Sequence, residues 1–110
     1  MIDIDKLKPI IIKKLKPLNP NKIIIFGSYA NGIPNEDSDI DLYIVTNDDF
    51  IPQNWKEKSQ ITQKVLSLLR DIVREYPTDV LVHTKKMHEK FIKLNSSFSK
   101  EIMQKGKVIL

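Results

Sequence analysis

The spacing of hydrophobic residues changes repeatedly between a strand-like and a helical period, and these changes predict the order of the elements. A continuous apolar run at 23–26 predicts a strand that is buried on both faces. Alternation predicts strands at 39–46 and 78–83, and a last strand is expected at 108–110. One face of the second strand carries Ile40, Leu42 and Ile44, and the other carries Asp39, Asp41, Tyr43 and Val45. One face of the third carries Val80 and Val82, and the other carries Asp79, Leu81 and His83.

Helices are predicted before the first strand and between the later ones. The segment Pro9–Lys16 is expected to be a short helix, because proline is tolerated in a first helical turn. Apolar residues at helical spacing predict a second helix at 55–75 that ends before a proline. Thr84 can cap a helix that runs through Leu94, and Ser97 or Ser99 can cap another that extends to about Lys105, where Gly106 ends it.

These elements predict an α/β (α+β) fold, with a small mixed sheet of three or four strands flanked by helices. A chain of 110 residues has the usual size of one domain, so residues 1–110 are expected to form a single one. The apolar fraction of 41% and the charged fraction of 29% are typical of a water-soluble globular protein. The apolar runs are too short to span a bilayer, and the acidic N-terminus does not resemble a secretory signal. We therefore expect a cytoplasmic protein without a membrane segment.

The chain has no cysteine, so a metal ion would have to bind oxygen or histidine nitrogen. The net charge of +4 comes mostly from lysines spread over the predicted helices. A solvated helix face is the better interpretation of these lysines than a nucleic-acid patch, which would have clustered charge and more arginine. Nucleic acid is therefore not an expected partner.

Two aspartates interrupt the second predicted strand. Asp39 and Asp41 are two positions apart, so their carboxylates project from the same face. Two such groups repel each other, and burial of either costs several kcal/mol unless a counter-charge is present. A divalent cation provides that charge, and two Mg²⁺ ions bridged by carboxylates are a common arrangement for displacement at phosphorus. Asp79, at the start of the third strand, is the candidate for a third carboxylate.

A glycine and a serine follow the first predicted strand. Gly27 lets a phosphate approach the backbone, Ser28 can donate its hydroxyl, and amide groups at a helix start attract anions. The pair alone is weak evidence, because Gly-Ser occurs in many turns. The aspartates, likewise, could each serve only as turn or cap residues.

The spacing of these motifs resembles that of the minimal nucleotidyltransferases of the DNA polymerase β superfamily. Their pattern is Gly-Ser, ten residues, then Asp-x-Asp, and it occurs here as Gly27-Ser28 followed by Asp39-Ile40-Asp41. The segments NPNKIIIFGSYANG, SDIDLYIV, TDVLVHTKKMHEKF and FSKEIMQKGKVIL also resemble that family. The resemblance implies that Asp39, Asp41 and Asp79 are the catalytic and Mg²⁺-binding residues. It also implies that Gly27 and Ser28 hold the β- and γ-phosphates of a nucleoside triphosphate.

The implied reaction is transfer of AMP from ATP to a hydroxyl, with release of pyrophosphate. Many relatives carry arginine where this chain has Asn31, so an additional phosphate contact or a charge that orients the backbone is expected to be absent here. Minimal members of the family are often paired with a HEPN protein and act as antitoxins by attaching AMP to one of its tyrosines, which makes a HEPN partner the leading expectation. The alternatives are a small-molecule nucleotidyltransferase of the antibiotic-modifying type, which would need self-association to complete an acceptor pocket, and a non-catalytic module that binds its partner.

Other polar and aromatic residues are expected to have structural roles. His83 is expected to be packed or half-exposed, and His88 to be solvated on a lysine-rich helix. Tyr29 is expected to pack rather than to stack on a nucleotide.

Overall fold

A computed structural model describes residues 2–110. One four-stranded sheet has the order β3-β2-β1-β4, built from β1 (Lys22–Phe26), β2 (Ile40–Val45), β3 (Thr78–His83) and β4 (Lys107–Val108). The helices are α1 (Ile4–Leu15), α2 (Ser28–Asn31), α3 (Trp55–Leu68), α4 (Arg70–Glu75), α5 (Lys85–Leu94) and α6 (Ser97–Lys100). A 3₁₀ turn (Lys16–Leu18) follows α1, and a π-helical turn (Glu101–Lys105) follows α6. The fold is thus the mixed α/β arrangement that the sequence predicts.

The sheet is mixed because its strands are connected in two ways. β1 pairs antiparallel with both β2 and β4, whereas β2 pairs parallel with β3. A parallel pair needs a crossover, and α3 and α4 form it. The crossover brings the N-terminal ends of β2 and β3 side by side, at the same end of the sheet as the C-terminal end of β1.

Each face of the sheet is covered by its own hydrophobic cluster. The larger cluster packs α1, α2, α3 and α4 against Ile40, Leu42 and Ile44 of β2 and Val82 of β3. The smaller cluster packs Tyr43 and Val45 against Ile102 and partly buried Leu81 and Phe91. The alternation predicted for β2 and β3 is therefore confirmed. No helix within residues 2–110 is long and apolar enough to cross a membrane.

The first helix begins earlier than its proline indicated. It starts at Ile4 instead of Pro9, so Pro9 lies inside the helix and not in its first turn. Leu7, Ile11 and Leu15 all face the larger cluster and are buried, and this packing outweighs the hydrogen bond that proline cannot donate. The predicted helix start at Pro9 was therefore wrong, because the local preference of proline for a first helical turn does not include the effect of this packing.

Two other helix predictions were wrong in detail. The segment 55–75 is two helices and not one, because Leu69 leaves helical geometry at φ −98° and ψ 10° while its side chain is fully buried. Ser96, and not Ser97 or Ser99, caps α6 by accepting a hydrogen bond from the Ser99 amide. Thr84 caps α5 as predicted, since its hydroxyl accepts from the Met87 amide.

Gly106 allows the last strand to reach β1. A Cβ at this position would lie 2.6 Å from Ile24 Cγ2 and would also collide with the Ile102 carbonyl oxygen. β4 itself is Lys107–Val108 instead of 108–110, but backbone hydrogen bonds between Ile23 and residues 109 and 110 continue the pairing. The C-terminal segment is therefore part of the sheet.

Candidate active site

The structure brings Asp41 and Asp79 together on neighbouring strands. They are direct partners in the parallel β2–β3 ladder, where strands lie about 4.8 Å apart. Tyr43 and Leu81, two positions further along each strand, both pack in the smaller cluster. Since residues two apart share a face, Asp41 and Asp79 project from that same face of the sheet. The two carboxylates are therefore neighbours, although the crossover separates them in the chain.

Gly27 lies against the Asp41 carboxylate. Its backbone has φ +74° and ψ −150°, a conformation essentially restricted to glycine. A Cβ at this position would lie 3.2 Å from Asp41 Cγ and closer still to its Oδ2 atom. Ser28 then begins α2, and its carbonyl oxygen accepts hydrogen bonds from Gly32 and Ile33 at the end of that short helix. The absence of a side chain at residue 27 leaves the space that the Asp41 carboxylate occupies.

The carboxyl group of Asp41 has an unusual affinity for protons. Burial, followed by the charges of Asp79, Asp39 and Glu101, raises the pKa of Asp41 from 3.8 to about 6. Asp41 is half-buried, whereas the other three are exposed. A bound cation would stabilise the ionised form of this carboxyl group, because it would offset both the burial and the like charges nearby. Oxygen atoms of this kind are the ligands that Mg²⁺ prefers.

Asp39 stands one position before β2 begins and is exposed. Its charge contributes to the raised pKa of Asp41, so the two predicted aspartates do interact. Within residues 2–110, however, no three acidic or histidine side chains are already arranged to hold a metal ion. Repulsion between like charges favours separated side-chain rotamers when no cation is bound. The donor set fits Mg²⁺ in its chemistry, and the metal-binding roles remain predictions.

Glu101 is an acidic neighbour that the sequence analysis missed. It lies in the π-helical turn after α6, and its charge is among those that raise the pKa of Asp41. No local pattern marks it, because only the docking of the C-terminal segment on the sheet brings it near β2. π-Helical turns are frequent at functional sites, but that frequency assigns no role to this glutamate.

A hydrogen-bonded group of two histidines and a tyrosine lies further along the same face. The Tyr43 hydroxyl is 2.8 Å from Nδ1 of both His83 and His88. His88 is only 5% exposed, so the prediction that it is solvated was wrong, and its Nε2 atom has no partner among the described residues. Burial lowers the pKa of His83 to about 4 and also lowers that of His88. Both imidazoles are therefore neutral at pH 7. His83 is half-buried and Tyr29 is buried, as expected.

Comparison with known proteins identifies the class as nucleotidyltransferase. The family model described as Polymerase beta, Nucleotidyltransferase matches residues 5–110. A Methanocaldococcus jannaschii protein named "Putative protein adenylyltransferase MJ0604" is 32% identical over 90 residues, which is 80% of this chain and 76% of that protein. The chain belongs to the Polymerase beta nucleotidyltransferase family, and the resemblance inferred from its motifs is confirmed.

Solved structures share the fold at lower sequence identity. A crystal structure of a toxin–antitoxin complex with AMP-PNP has a TM-score of 0.56 at 22% identity, and the match covers 94% of this chain and 72% of that one. An MntA–HpeT toxin–antitoxin mutant has a TM-score of 0.52 at 20% identity, with the same coverage. A tri-AMPylated Shewanella oneidensis HEPN toxin in complex with an MNT antitoxin gives 0.50 at 20% identity, over 96% of this chain and 71% of that one. At these identities the likeness establishes the fold alone.

Proposed function

We propose that this chain is a Mg²⁺-dependent adenylyltransferase that moves AMP from ATP to a tyrosine hydroxyl of a HEPN-type partner protein. In this proposal it acts in the cytoplasm, as one domain over residues 1–110, and is the antitoxin of a toxin–antitoxin pair. Family membership and the name of the Methanocaldococcus jannaschii relative support the transfer of a nucleotide to protein. The AMPylated HEPN toxin bound to an MNT antitoxin supports the choice of partner.

One observation carries the catalytic part of the proposal: Asp41 is paired in register with Asp79 on one face of the sheet, and its pKa is raised to about 6. We assign metal binding to Asp39, Asp41 and Asp79, with two Mg²⁺ ions expected. Bound Mg²⁺ would neutralise charge on the phosphates of ATP and lower the barrier to displacement at phosphorus.

The chain's own groups would perform the remaining steps. The acceptor oxygen forms a bond to the α-phosphorus of ATP, and the bond from that phosphorus to pyrophosphate breaks. Asp79 is exposed and is the candidate to accept the proton that the hydroxyl loses. Gly27, which has no side chain beside Asp41, and Ser28 would hold the β- and γ-phosphates.

A direct test compares Asp39→Ala with Asp37→Ala. Both aspartates are exposed in the segment that leads into β2, but only Asp39 contributes to the pKa of Asp41. We expect Mg²⁺-dependent binding of AMP-PNP and release of pyrophosphate to be lost in Asp39→Ala and retained in Asp37→Ala. If the wild type and Asp39→Ala bind nucleotide and turn it over equally, the assigned site is wrong.

The partner can be tested by mass spectrometry. The protein is mixed with ATP, Mg²⁺ and the HEPN-type protein encoded beside it, and the partner is then analysed as intact protein and as peptides. We expect the mass of one or more AMP groups on tyrosine, and a matching loss of the partner's toxicity. An unchanged mass together with unchanged toxicity would exclude the antitoxin role. Pyrophosphate release with a small-molecule acceptor would then identify the antibiotic-modifying alternative.

A further inference from the structure

A cavity opens at the end of the sheet where the acidic residues lie. It has a volume of about 490 Å³ and is lined by Ile2, Asp3, Tyr29, Glu36, Ser38, Tyr76 and Pro77. These residues come from the segment just before α1, from α2, from the loop before β2 and from the segment before β3. Four separate parts of the chain therefore converge on it.

The cavity adjoins the proposed active site through the backbone. Tyr29 directly follows Ser28, Ser38 directly precedes Asp39, and Pro77 is two residues before Asp79. Consecutive Cα atoms are about 3.8 Å apart, so all three connections are short. Tyr29 and Tyr76 pack with the larger cluster, whereas Asp41 and Asp79 project from the face of the smaller cluster. The cavity consequently lies around the end of the sheet from the carboxylates, within reach of a molecule that bends over this end.

The lining has the chemistry of a site for a cation. Asp3 and Glu36 are acidic and form no salt bridge within the part of the chain that the structure describes. Neither lysine nor arginine is among the described residues that line the cavity, although the chain as a whole carries a net charge of +4. Two tyrosines add aromatic rings, which attract cations through their faces. An anionic ligand such as a nucleotide would be repelled here.

Tyr29 is an independent observation that points to a ligand site at this cavity. Its side chain is buried to all but 4% and lines the cavity, yet its hydroxyl makes no hydrogen bond to any other residue of 2–110. That hydroxyl is not sealed off either, because the only fully buried unpaired side-chain atom in the same residues is Nε2 of His88. The hydroxyl is therefore the part of this otherwise buried side chain that opens into the cavity, where a ligand can hydrogen-bond to it.

We infer that this cavity binds an arginine side chain of the acceptor polypeptide and so positions that polypeptide for AMP transfer. The inference rests on the proposed function and adds to it the kind of acceptor. A guanidinium group presents several N–H donors in one plane, which suits two carboxylates and a hydroxyl at once and also stacks on tyrosine rings. A chain that spans from this cavity over the end of the sheet brings a nearby hydroxyl to Asp79.

Binding can be measured without catalysis by using N-acetyl-arginine amide as the probe. The chain has three tyrosines; Tyr29 and Tyr76 line the cavity, whereas Tyr43 is buried in the smaller cluster. With ¹³C-labelled tyrosine rings, we expect saturable shifts at Tyr29 and Tyr76 and none at Tyr43. N-acetyl-citrulline amide, which has the same shape without the charge, should bind at least about tenfold more weakly. Equal binding of both probes, or shifts only at Tyr43, would overturn the inference.

Matched variants distinguish arginine binding by the carboxylates of the cavity from a general effect of negative charge in the loop. The double variant Asp3→Asn, Glu36→Gln should weaken arginine binding by about tenfold, whereas Asp37→Asn, in the same loop but outside the lining, should not change it. Asn remains a good residue at the helix start where Asp3 lies, and the Asp3 side chain makes no capping bond there. Loss of folding is therefore not expected. Tighter binding of spermidine than of the arginine probe would instead identify a polyamine site and overturn the assignment to the acceptor.

A second readout connects the cavity to transfer. In the double variant, the KM for the acceptor polypeptide should rise while the affinity for AMP-PNP is retained, and replacing the acceptor's arginine with citrulline should have the same effect on the KM. An unchanged KM would overturn the inference. Asp39→Ala should still bind the arginine probe, so failure of AMP transfer and failure of this cavity give different results.

Discussion

The substitution Gly27→Ala tests how the backbone after β1 supports the acidic site. In the wild type, residue 27 has φ +74° and ψ −150° and lies against the Asp41 carboxylate. A Cβ there would stand 3.2 Å from Asp41 Cγ and well inside the van der Waals contact distance from its Oδ2 atom. The substitution therefore imposes backbone strain and also forces the Asp41 carboxylate to move.

The expected cost has two parts. An alanine in a backbone region that is essentially limited to glycine loses about 1–3 kcal/mol, and an extra methyl group in a filled space typically loses about 1–3 kcal/mol more. The free energy of unfolding should fall by about 2–6 kcal/mol, which is a large share of the roughly 5–15 kcal/mol typical of a domain. Nucleotide turnover should fall as well, because the displaced carboxylate is one of the proposed Mg²⁺ ligands.

Gly32→Ala is the matched control. Gly32 also has a positive φ, +77°, but a Cβ there would meet nothing within 4 Å. It should lose only the strain of about 1–2 kcal/mol and keep its turnover. Urea denaturation measures both variants, and pyrophosphate release measures activity.

A double-mutant cycle identifies the contact itself. Asp41→Ala removes the carboxylate that the new methyl group would strike, so the double variant with Gly27→Ala should be more stable than the sum of the single effects by about 1–3 kcal/mol. If Gly27→Ala is no more harmful than Gly32→Ala, or if the two effects at 27 and 41 are additive, the proposed contact does not constrain the site.

Three further predictions concern charge and packing. Because the pKa of Asp41 is raised to about 6 from 3.8, the folded state binds its proton more tightly than the unfolded state; the contribution of Asp41 to the stability of the metal-free protein should decline as pH rises from about 4 through 6, so in urea titrations the wild type should lose stability relative to Asp41→Asn over that range. Burial lowers the pKa of His83 to about 4 from 6.5, so its neutral form stabilises the folded state at neutral pH and that contribution should be lost as pH falls from 6.5 towards 4, which ¹⁵N imidazole spectra and denaturation at each pH will measure. Gly106→Ala should cost about 1–3 kcal/mol in urea denaturation because its methyl group would collide with Ile24 and the Ile102 carbonyl oxygen, without any contribution from backbone strain at φ −70°.

The sheet was predictable because each strand carries its own signal. Strand β3 lies at Thr78–His83 as the alternation predicts, and β2 differs by one residue at each end. The same alternation predicts which side chains of β2 and β3 share a face. Local hydrophobic periodicity does not specify the strand order or the parallel pairing. Only the crossover through α3 and α4 makes Asp79 the neighbour of Asp41.

The errors occurred where a long-range contact overrides a local preference. Pro9 indicates a helix start by local preference, but burial of Leu7 extends the helix before it. The lysines around His88 indicate a solvated position, but the helix face that it occupies packs against Tyr43. The acidic influence of Glu101 and the cavity beside Tyr29 depend on segments distant in the chain. Neither a residue type nor a spacing could have indicated them.

The parallel pairing of β2 with β3 also determines when the acidic pair can first exist during synthesis. A growing chain that has produced β1 and β2 already carries the motif aspartates, but it has no Asp79 beside them until the whole crossover has emerged and β3 has docked. Contacts between distant segments form slowly compared with local helices. A ribosome-bound or proteolysed fragment that ends before β3 therefore cannot carry the complete carboxylate set, however well its first hairpin folds.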